Sequence, residues 1–407
     1  MREVTVSEYG TEPAVALSPD EIDQLRVVAP SLAIAPSIGG GGLYDLTASS
    51  KVGVVQLPDL SVLIRPKLSI DRLLFLISYG LGAVRFQSLG FEFERDRGLF
   101  EAVIPGFASQ IRVAFRRGLI QGYQVEEISL PGVRGRIRFE DQVRDRHGVF
   151  PPVEVRFDDY TEDVDVNRLI KFALGRLRRM RIRSDLARRE LHAFDGALAR
   201  VSEIEFAGGE LPEPTFNRLN QHYEPAVRLA QLILRSTSFE TTRGEVTASA
   251  FLVDMNRVFE DFVVAALRDA LRLTEKTFPQ GAKAKRLRLD HGHRIPLKPD
   301  ISWWEGQRCV FVGDVKYKET RSERVPNADD LYQLLAYAIA TDLPSGLLIY
   351  AAGEGKPGNY RVVHLDKTLE VITLDLAGTP DQVLSQMDEV ADQIRLIRGK
   401  AIRARAA

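Results

Sequence analysis

The sequence predicts a multidomain α+β protein with a small β-rich domain at residues 1–70, a mostly helical region at 71–205 and a mixed α/β domain at 206–407. Two observations lead to this prediction. The hydrophobic pattern changes along the chain, from short alternating segments, to helical spacing, to a mixture of both. The length of 407 residues also exceeds what one hydrophobic core usually holds, so two or three domains are expected.

Composition predicts a soluble globular protein of the cytoplasm. Hydrophobic residues make up 44% of the chain and charged residues 27%, as in ordinary soluble domains. The sequence shows no apolar run of about 18 residues that would cross a membrane, and its first residues lack the apolar core of a secretory signal. Cys309 is the only cysteine, which excludes an intrachain disulfide and a cysteine-rich zinc site.

The net charge of −1 argues against a protein coated with positive charge for direct nucleic-acid binding. Basic residues nevertheless cluster at 176–189, at 283–294 and in the C-terminal tail from residue 395. The simpler interpretation of each cluster is a solvated helix or strand face.

The first 70 residues contain short strand-like segments separated by glycine and proline, which predict a small barrel or sandwich. The six predicted strands are VTVSEY, AVALSP, SLAIAPS, LYDLTAS, VGVVQLP and SVLIRP. The glycine-rich stretch at 39–42 lacks the strand-to-helix context of a phosphate-binding loop, so we interpret it as a flexible turn.

Residues 71–205 show mostly helical patterns. Leu73, Leu74, Ile77 and Leu81 have helical spacing after Ser69, which is a candidate N-cap. A second helix is predicted at 105–119.

A basic segment with strand-like alternation lies in the middle of this region and contains Arg134, Arg136 and Arg138. In an extended strand the three side chains would share one face. One interpretation is an exposed strand edge that is protected by charge. The other is a basic ladder that contacts a phosphate backbone or the acidic surface of a partner.

The C-terminal region predicts a mixed α/β sheet. A long helix is predicted at 251–273, because apolar residues recur there at helical period; they are Leu252, Met255, Phe259, Phe262, Val263, Ala266 and Leu267. Six strands follow, with a helix at 327–342 between the third and the fourth; they are KRLRLD, DISWWE, CVFVGDVKY, GLLIYA, YRVVHLD and LEVITLDL.

The third of these strands carries charge within an apolar run. Side chains alternate along a strand, so Asp314 and Lys316 share a face at its end. A short turn at 305–308 would bring Asp300 alongside as a hairpin neighbour. Asp314 and Lys316 could form a buried ion pair with a purely structural role. However, buried charges are unfavourable unless they are paired or bound to a metal. Two carboxylates and an ammonium suit phosphodiester hydrolysis, in which the carboxylates hold a divalent metal such as Mg²⁺.

These residues resemble the two halves of the PD-(D/E)xK nuclease motif, with Pro299–Asp300 first and Asp314–Val315–Lys316 second. Glu260 lies in the preceding helix, where that superfamily often places a further metal-binding acid. Downstream, Gln333 and Tyr337 are four residues apart and therefore lie on one helical face, which is similar to the Q-x-x-x-Y element of the RecB-like branch.

Longer segments are similar to the McrC family, the nuclease subunits of the McrBC modification-dependent restriction systems. These segments are IRPKLSIDRLLFLISYG, RRGLIQGYQVEEISLPGVRGRIRF, DDYTEDVDVNRLIKFAL and MNRVFEDFV. The resemblance implies a DNA endonuclease subunit of type IV restriction and anti-phage defence. It also implies a partner, McrB, an AAA+ GTPase hexamer that recognises modified cytosine in double-stranded DNA. McrC would insert part of its N-terminal region into that ring and stimulate GTP hydrolysis.

The sequence itself lacks the G-x-x-x-x-G-K-[ST] pattern, so this chain is not expected to hydrolyse a nucleotide. The resemblance implies a role for each site residue, with Mg²⁺, or Mn²⁺ in its place, as the cofactor. Asp300 and Asp314 would hold the metal with the Val315 carbonyl, Glu260 would supply an outer or second-metal carboxylate, Lys316 would position the attacking water, and Gln333 and Tyr337 would support the site or touch the DNA backbone.

Two further elements have open interpretations. Docking to the partner is expected in the N-terminal half of the chain, mainly at 71–205. The inserted part would be either the segment of Arg134, Arg136 and Arg138 or the glycine-rich stretch at 39–42; alternatively, the three arginines only support the domain core. His291 and His293 form an H-x-H pair that could bind zinc, but a third ligand with suitable spacing is not evident, which favours a loop or a phosphate contact.

Two other functions are compatible with the sequence. The chain could be a stand-alone PD-(D/E)xK repair or defence nuclease, which the absence of a neighbouring AAA+ gene would indicate. It could also be a catalytically idle adaptor that only activates the ring. The complete set of Asp300, Asp314 and Lys316 argues against the idle adaptor.

Overall fold

The computed structural model describes residues 1–38, 40–82, 98–206, 211–242, 245–280, 287–317, 326–351 and 357–404. Gly39 of the glycine-rich stretch and residues 283–286 of the second basic cluster lie outside these ranges. The chain forms two compact units, one of Met1–Val103 with Ser238–Ala407 and one of Ile104–Thr237. Within the described ranges, no helix combines the length and the apolar character needed to span a membrane.

The helices are α1 (Pro19–Val28), α2 (Ile70–Gly80), α3 (Leu99–Phe115), α4 (Phe139–Arg146), α5 (Asp165–Arg178), α6 (Asp185–Ala197), α7 (Glu224–Ser236), α8 (Met255–Leu271), α9 (Ala328–Ala340) and α10 (Pro380–Ala404). The strands are β1 (Arg2–Ser7), β2 (Thr11–Ala16), β3 (Ala33–Pro36), β4 (Leu43–Thr47), β5 (Lys51–Gln56), β6 (Leu60–Arg65), β7 (Gly122–Leu130), β8 (Arg136–Ile137), β9 (Val153–Thr161), β10 (Thr237–Thr242), β11 (Glu245–Asp254), β12 (Leu287–Arg288), β13 (Pro296–Leu297), β14 (Ile301–Glu305), β15 (Arg308–Lys316), β16 (Ser345–Ala351), β17 (Gly358–Arg361) and β18 (Thr368–Leu374).

A five-stranded sheet of order β1-β6-β5-β11-β10 joins the two ends of the first unit. β5 pairs with β11 in an antiparallel ladder that sets Gly53 opposite Leu252. Gly53 has φ +145°, and a Cβ there would lie 1.9 Å from the Phe251 carbonyl oxygen, so the close approach requires glycine. The two units therefore do not follow the predicted boundaries at residues 70 and 205, because the N-terminal strands β1, β5 and β6 share a sheet with β10 and β11.

The six predicted N-terminal strands are present as β1 to β6, with β2, β4 and β3 in a separate small sheet. The sequence interpretation missed α1, which begins after a capping box. Ser18 Oγ accepts from the Glu21 backbone amide, and the Glu21 side chain accepts from the Ser18 amide. The residues SPDE at 18–21 carry this signature in the sequence.

The second unit contains the sheet β7-β9-β8 and the helices around it. The strand expected through Arg134, Arg136 and Arg138 is wrong, since only Arg136 and Ile137 are extended. Gly135 has φ +71° and leaves no room for a Cβ beside β9, while Arg138 is already the N-cap of α4. The basic stretch at 176–189 spans two helices, since α5 ends at Arg178 and α6 begins at Asp185.

The C-terminal part of the first unit is a mixed sheet of order β14-β15-β16-β18-β17. Its three central strands are parallel and the two edge strands are antiparallel to their neighbours. α9 connects β15 to β16 and packs on this sheet. This arrangement agrees with the predicted mixed α/β architecture.

The helix predicted at 251–273 begins later, at Met255, because residues 245–254 form β11. Asp254 caps α8, with its Oδ1 accepting from the Asn256 amide at 3.0 Å. Leu252, which was assigned to the helical stripe, therefore lies in a strand. Local hydrophobic spacing did not separate the two elements, since both are apolar at their junction.

Candidate functional site

The site begins with the hairpin of β14 and β15. Its antiparallel register pairs Ile301 with Gly313, which places Asp300 beside Asp314. β15 lies between β14 and β16 and is buried from Cys309 to Val315, as its continuous apolar sequence predicts. The Val315 amide donates to Asp300 Oδ2 at 3.0 Å. The two carboxylates named by the sequence are thus brought together at one end of the sheet.

Asp314 is the most buried member of the group, with 0% exposure. Its Oδ2 lies 2.6 Å from Lys316 Nζ, but neither of its oxygens has a hydrogen-bond partner of good geometry among the described residues. Burial, and next the charge of Asp300, raises the pKa of Asp314 well above its usual value. A buried carboxylate with unsatisfied lone pairs favours a bound cation or a proton.

Lys316 lies between the two carboxylates, since its Nζ is also 3.8 Å from Asp300 Oδ2. Burial by itself would lower the pKa of this lysine, but the charges of Asp314 and Asp300 outweigh it, so the pKa of Lys316 is raised. The side chain is therefore an ammonium at neutral pH. It can donate hydrogen bonds or offset negative charge, and it is not suited to act as a base.

Glu260 of α8 is linked to the hairpin through Gln280. Gln280 Nε2 donates to Glu260 Oε1 at 3.0 Å, and Gln280 forms a β-bridge with Ile301, next to Asp300. Burial and the charge of Asp300 raise the pKa of Glu260 to about 7. In the described part of the chain, no three His, Cys, Asp or Glu side chains are grouped closely enough to hold one metal ion. The structure thus places Glu260 near Asp300 but does not make it a third member of the cluster.

Gln333 and Tyr337 lie on α9 and form one hydrogen-bonded chain. Gln333 Nε2 donates to the Tyr337 hydroxyl at 2.6 Å, and this hydroxyl donates to the Lys298 carbonyl at 2.9 Å. Tyr337 is 2% exposed. The pair therefore fixes the backbone two residues before Asp300, which is a supporting role for the site.

Asp330 and Tyr350 were missed by the sequence interpretation. Tyr350 of β16 is in register with Lys316, and its hydroxyl donates to Asp330 Oδ2 at 2.7 Å. Both side chains are buried. Asp330 lies three residues before Gln333 on the same helix, and this i, i+3 spacing is the signal that could have found it.

His291 and His293 lie in the turn between the short strands β12 and β13 and are exposed. Asp290 holds this turn, because its Oδ1 accepts from the amides of Arg294 and Ile295, each at 2.8 Å. The result is an exposed hairpin that ends three residues before Asp300.

The three arginines of the second unit have different environments. Arg134 pairs with Asp159 at 2.6 Å and stacks on Phe157. Arg138 pairs with Glu127 and Asp141. Arg136 is exposed. They do not form one continuous ladder, so a shared function cannot rest on a common strand face.

The carboxylates of Asp300 and Asp314 offer oxygen donors, which are the ligands that Mg²⁺ prefers. Within the described residues, the buried Asp314 oxygens have an ion pair with Lys316 but no hydrogen bond of good geometry, and a divalent cation would satisfy them. Lys316 would then remain next to the cation and to any bound anion. The arrangement can bind a phosphate group between positive charges and hold water against it.

The chain was compared with known proteins. The family model described as "McrBC 5-methylcytosine restriction system component" matches residues 46–351. A solved structure described as a refined half-complex from a tetradecameric assembly of Thermococcus gammatolerans McrB AAA+ hexamers with bound McrC is similar at 18% identity and a TM-score of 0.58, covering 97% of this chain and 100% of that chain. A cryo-EM structure of the Thermococcus gammatolerans McrBC complex matches at 19% identity and a TM-score of 0.42, over 66% of this chain and 88% of that chain. No curated protein matches this chain.

Proposed function

This chain belongs to the family of McrBC 5-methylcytosine restriction system components, and we propose that it is a nuclease subunit of the McrC type. In this proposal it hydrolyses DNA phosphodiester bonds with Mg²⁺ when it is assembled with a McrB-type AAA+ GTPase. The observation that carries the proposal is the convergence of Asp300, Asp314 and Lys316 at the end of one strand pair. The PD-(D/E)xK resemblance assigns the same three residues.

The metal would be held by Asp300 and Asp314, with the Val315 carbonyl as a further ligand and Glu260 as an outer acid. When bound, Mg²⁺ supplies neutralisation of the phosphate charge and activation of water. Lys316 remains protonated and orients the water or offsets the charge that develops on the phosphate oxygens. Tyr337 keeps Asp300 in position through the Lys298 carbonyl, with Gln333 behind it.

The DNA backbone would lie along the exposed hairpin of β12 and β13. Its basic groups include Arg288, His291, His293 and Arg294, whereas the carboxylate of Asp290 is engaged inside the turn. Such groups contact phosphates without reading sequence. This supports the interpretation of the H-x-H pair as a phosphate contact.

The partner contact would lie on the second unit. The exposed face of its sheet carries Tyr123 and Tyr160, which face each other across β7 and β9 and are 77% and 58% exposed. Large apolar side chains exposed together often mark protein interfaces. Arg136 lies on β8 of the same sheet and is the arginine we assign to the acidic surface of the GTPase, whose hydrolysis it would help stimulate.

The nuclease assignment is tested with the full chain and a McrB-type AAA+ protein, using DNA with modified cytosine, GTP and Mg²⁺. We expect the wild-type complex to cut this DNA, and Asp314→Asn or Lys316→Ala to lower the rate by at least about 10³-fold while GTP hydrolysis is still stimulated. Full cleavage by either variant would contradict the assignment. Efficient cutting of unmodified DNA by the isolated chain would instead favour the stand-alone nuclease.

The partner contact has its own test. Arg136→Ala should weaken GTPase stimulation, whereas Arg134→Ala, whose guanidinium is already held by Asp159, should change it less. If both variants stimulate GTP hydrolysis as much as the wild type does, neither arginine contributes to the partner contact.

A further inference from the structure

The residue after Lys316 is held by the N-terminal end of the chain. β15 and its ladder with β16 end at Lys316, and Tyr317 follows directly. The Tyr9 hydroxyl donates to this carbonyl at 3.0 Å. The Tyr317 hydroxyl in turn donates to Glu8 Oε2 at 3.3 Å. Two consecutive N-terminal residues therefore contact both the backbone and the side chain of Tyr317.

Glu8 and Tyr9 are themselves fixed by the first sheet and the segment after it. The Glu8 amide donates to the Arg65 carbonyl at 2.8 Å, and Glu8 Oε2 accepts from the Lys67 amide at 3.0 Å. Lys67 Nζ lies 5.0 Å from the centre of the Tyr9 ring. Burial of a carboxylate is unfavourable unless it is hydrogen-bonded, and Glu8 Oε2 accepts from both the Lys67 amide and the Tyr317 hydroxyl, so Glu8 links these two segments.

Tyr317 also contacts α8, the helix that carries Glu260. The Tyr317 ring packs on Phe259 with 5.8 Å between the ring centres, and Phe259 precedes Glu260. Glu8 and Tyr317 are 2% and 4% exposed, so water does not compete for the hydrogen bond between them. Tyr317 thus joins three parts of the first unit, namely the N-terminal strands, β15 and α8.

We propose that Glu8 and Tyr9 are positioning residues for the nuclease site and that they act by fixing the main chain directly after Lys316. The inference rests on the proposed nuclease function. Tyr317 is joined to Lys316 by one planar peptide bond, so holding its carbonyl and its side chain limits the backbone rotations that set the direction of the Lys316 side chain. Reacting groups must be held to within a fraction of an ångström, and an error of about 1 Å lowers a rate by about a hundredfold. The N-terminal strands would therefore contribute to catalysis as well as to folding.

The test uses the full chain with Tyr9→Phe, which removes only the hydroxyl, and Glu8→Gln as a second variant. Tyr44→Phe is the matched control, because it removes a hydroxyl from β4 in the same part of the chain. Hydrogen exchange is measured on the peptide that covers residues 308–317, and cleavage kinetics are measured on the assembled complex. We expect Tyr9→Phe to raise exchange at the end of β15 about fivefold and to lower kcat roughly tenfold or more with KM unchanged.

The two readouts separate this inference from the proposed function. Unchanged exchange at the end of β15 in both variants overturns the inference, whatever the nuclease activity is. Faster exchange with an unchanged kcat in an active complex also overturns it, since Tyr317 would then be held for stability alone. A wild-type complex that does not cut DNA refutes the proposed function, and the exchange result then decides by itself whether Glu8 and Tyr9 hold the strand end.

Discussion

Removal of the Lys316 ammonium should destabilise the metal-free protein more than removal of the most buried carboxylate does. Lys316→Met removes the ammonium that lies 3.8 Å from Asp300 and 2.6 Å from Asp314, so the two carboxylates then face each other without it. Asp314→Asn instead leaves a lysine that still has Asp300 as a partner. The two variants therefore remove the same ion pair but leave different charges behind.

The expected magnitudes follow from burial. Breaking a buried pair so that one charge is left uncompensated costs about 3–5 kcal/mol. Lys316 and Asp300 have 18% and 20% side-chain exposure, so we expect the lower end, about 3 kcal/mol, for Lys316→Met. Asp314→Asn should cost less than about 1 kcal/mol, because it removes a carboxylate whose ionised form burial disfavours. The double variant should be about 2 kcal/mol more stable than Lys316→Met alone.

The assay is urea unfolding of the four proteins at pH 7.5 in EDTA, followed by the same measurement with Mg²⁺. Added Mg²⁺ should stabilise Lys316→Met, since a cation then replaces the missing ammonium. The double variant Lys316→Met, Asp314→Asn lacks one carboxylate, so Mg²⁺ should stabilise it less. A Lys316→Met variant as stable as the wild type, or a double variant less stable than Lys316→Met, would refute this account of the charges.

Three further outcomes are expected. Tyr337→Phe should lower cleavage by the assembled complex about tenfold while the midpoint of urea unfolding changes little; an unchanged rate would show that the hydrogen bond to the Lys298 carbonyl is dispensable. Asp163→Asn should cost about 2 kcal/mol at pH 7, because the hydrogen bond from Arg168 holds the pKa of Asp163 well below its usual range. The difference in unfolding free energy between Asp163→Asn and the wild type should have its full size above pH 4 and shrink as the pH falls further. A constant difference down to pH 2 would contradict this account. Gly53→Ala should cost more than about 3 kcal/mol, measured by thermal unfolding, since its Cβ would overlap the β11 backbone; wild-type stability would mean that β5 and β11 can move apart.

Much of the site was determined by local sequence. Alternation along β15 placed Asp314 and Lys316 on one face, and the turn at 305–308 returned Asp300 to their side. Gln333 and Tyr337 share a face of α9 because they are four residues apart. These relations extend over a few residues and depend only on the strand and helix periods, so the sequence was sufficient to predict them.

Local patterns failed where an element's identity depended on its neighbours. The apolar run through Leu252 fits a helix by spacing, but pairing with β5 makes it a strand. Arg134 and Arg138 fit a ladder by alternation, but Gly135 turns the chain and nearby acidic side chains bind both arginines. In each case tertiary packing outweighed the intrinsic preference of the segment.

The sequence by itself determined the charged triad of Asp300, Asp314 and Lys316 and the mixed sheet that carries it. Only the tertiary structure decided that Glu8 and Tyr9 meet Tyr317, about 300 residues away in the chain, and that β5 and β6 share a sheet with β11. Neither contact has a local period that marks it. Such contacts form because buried polar groups must find partners and because apolar strand faces must be covered, and these requirements are met only when the distant segments have folded together.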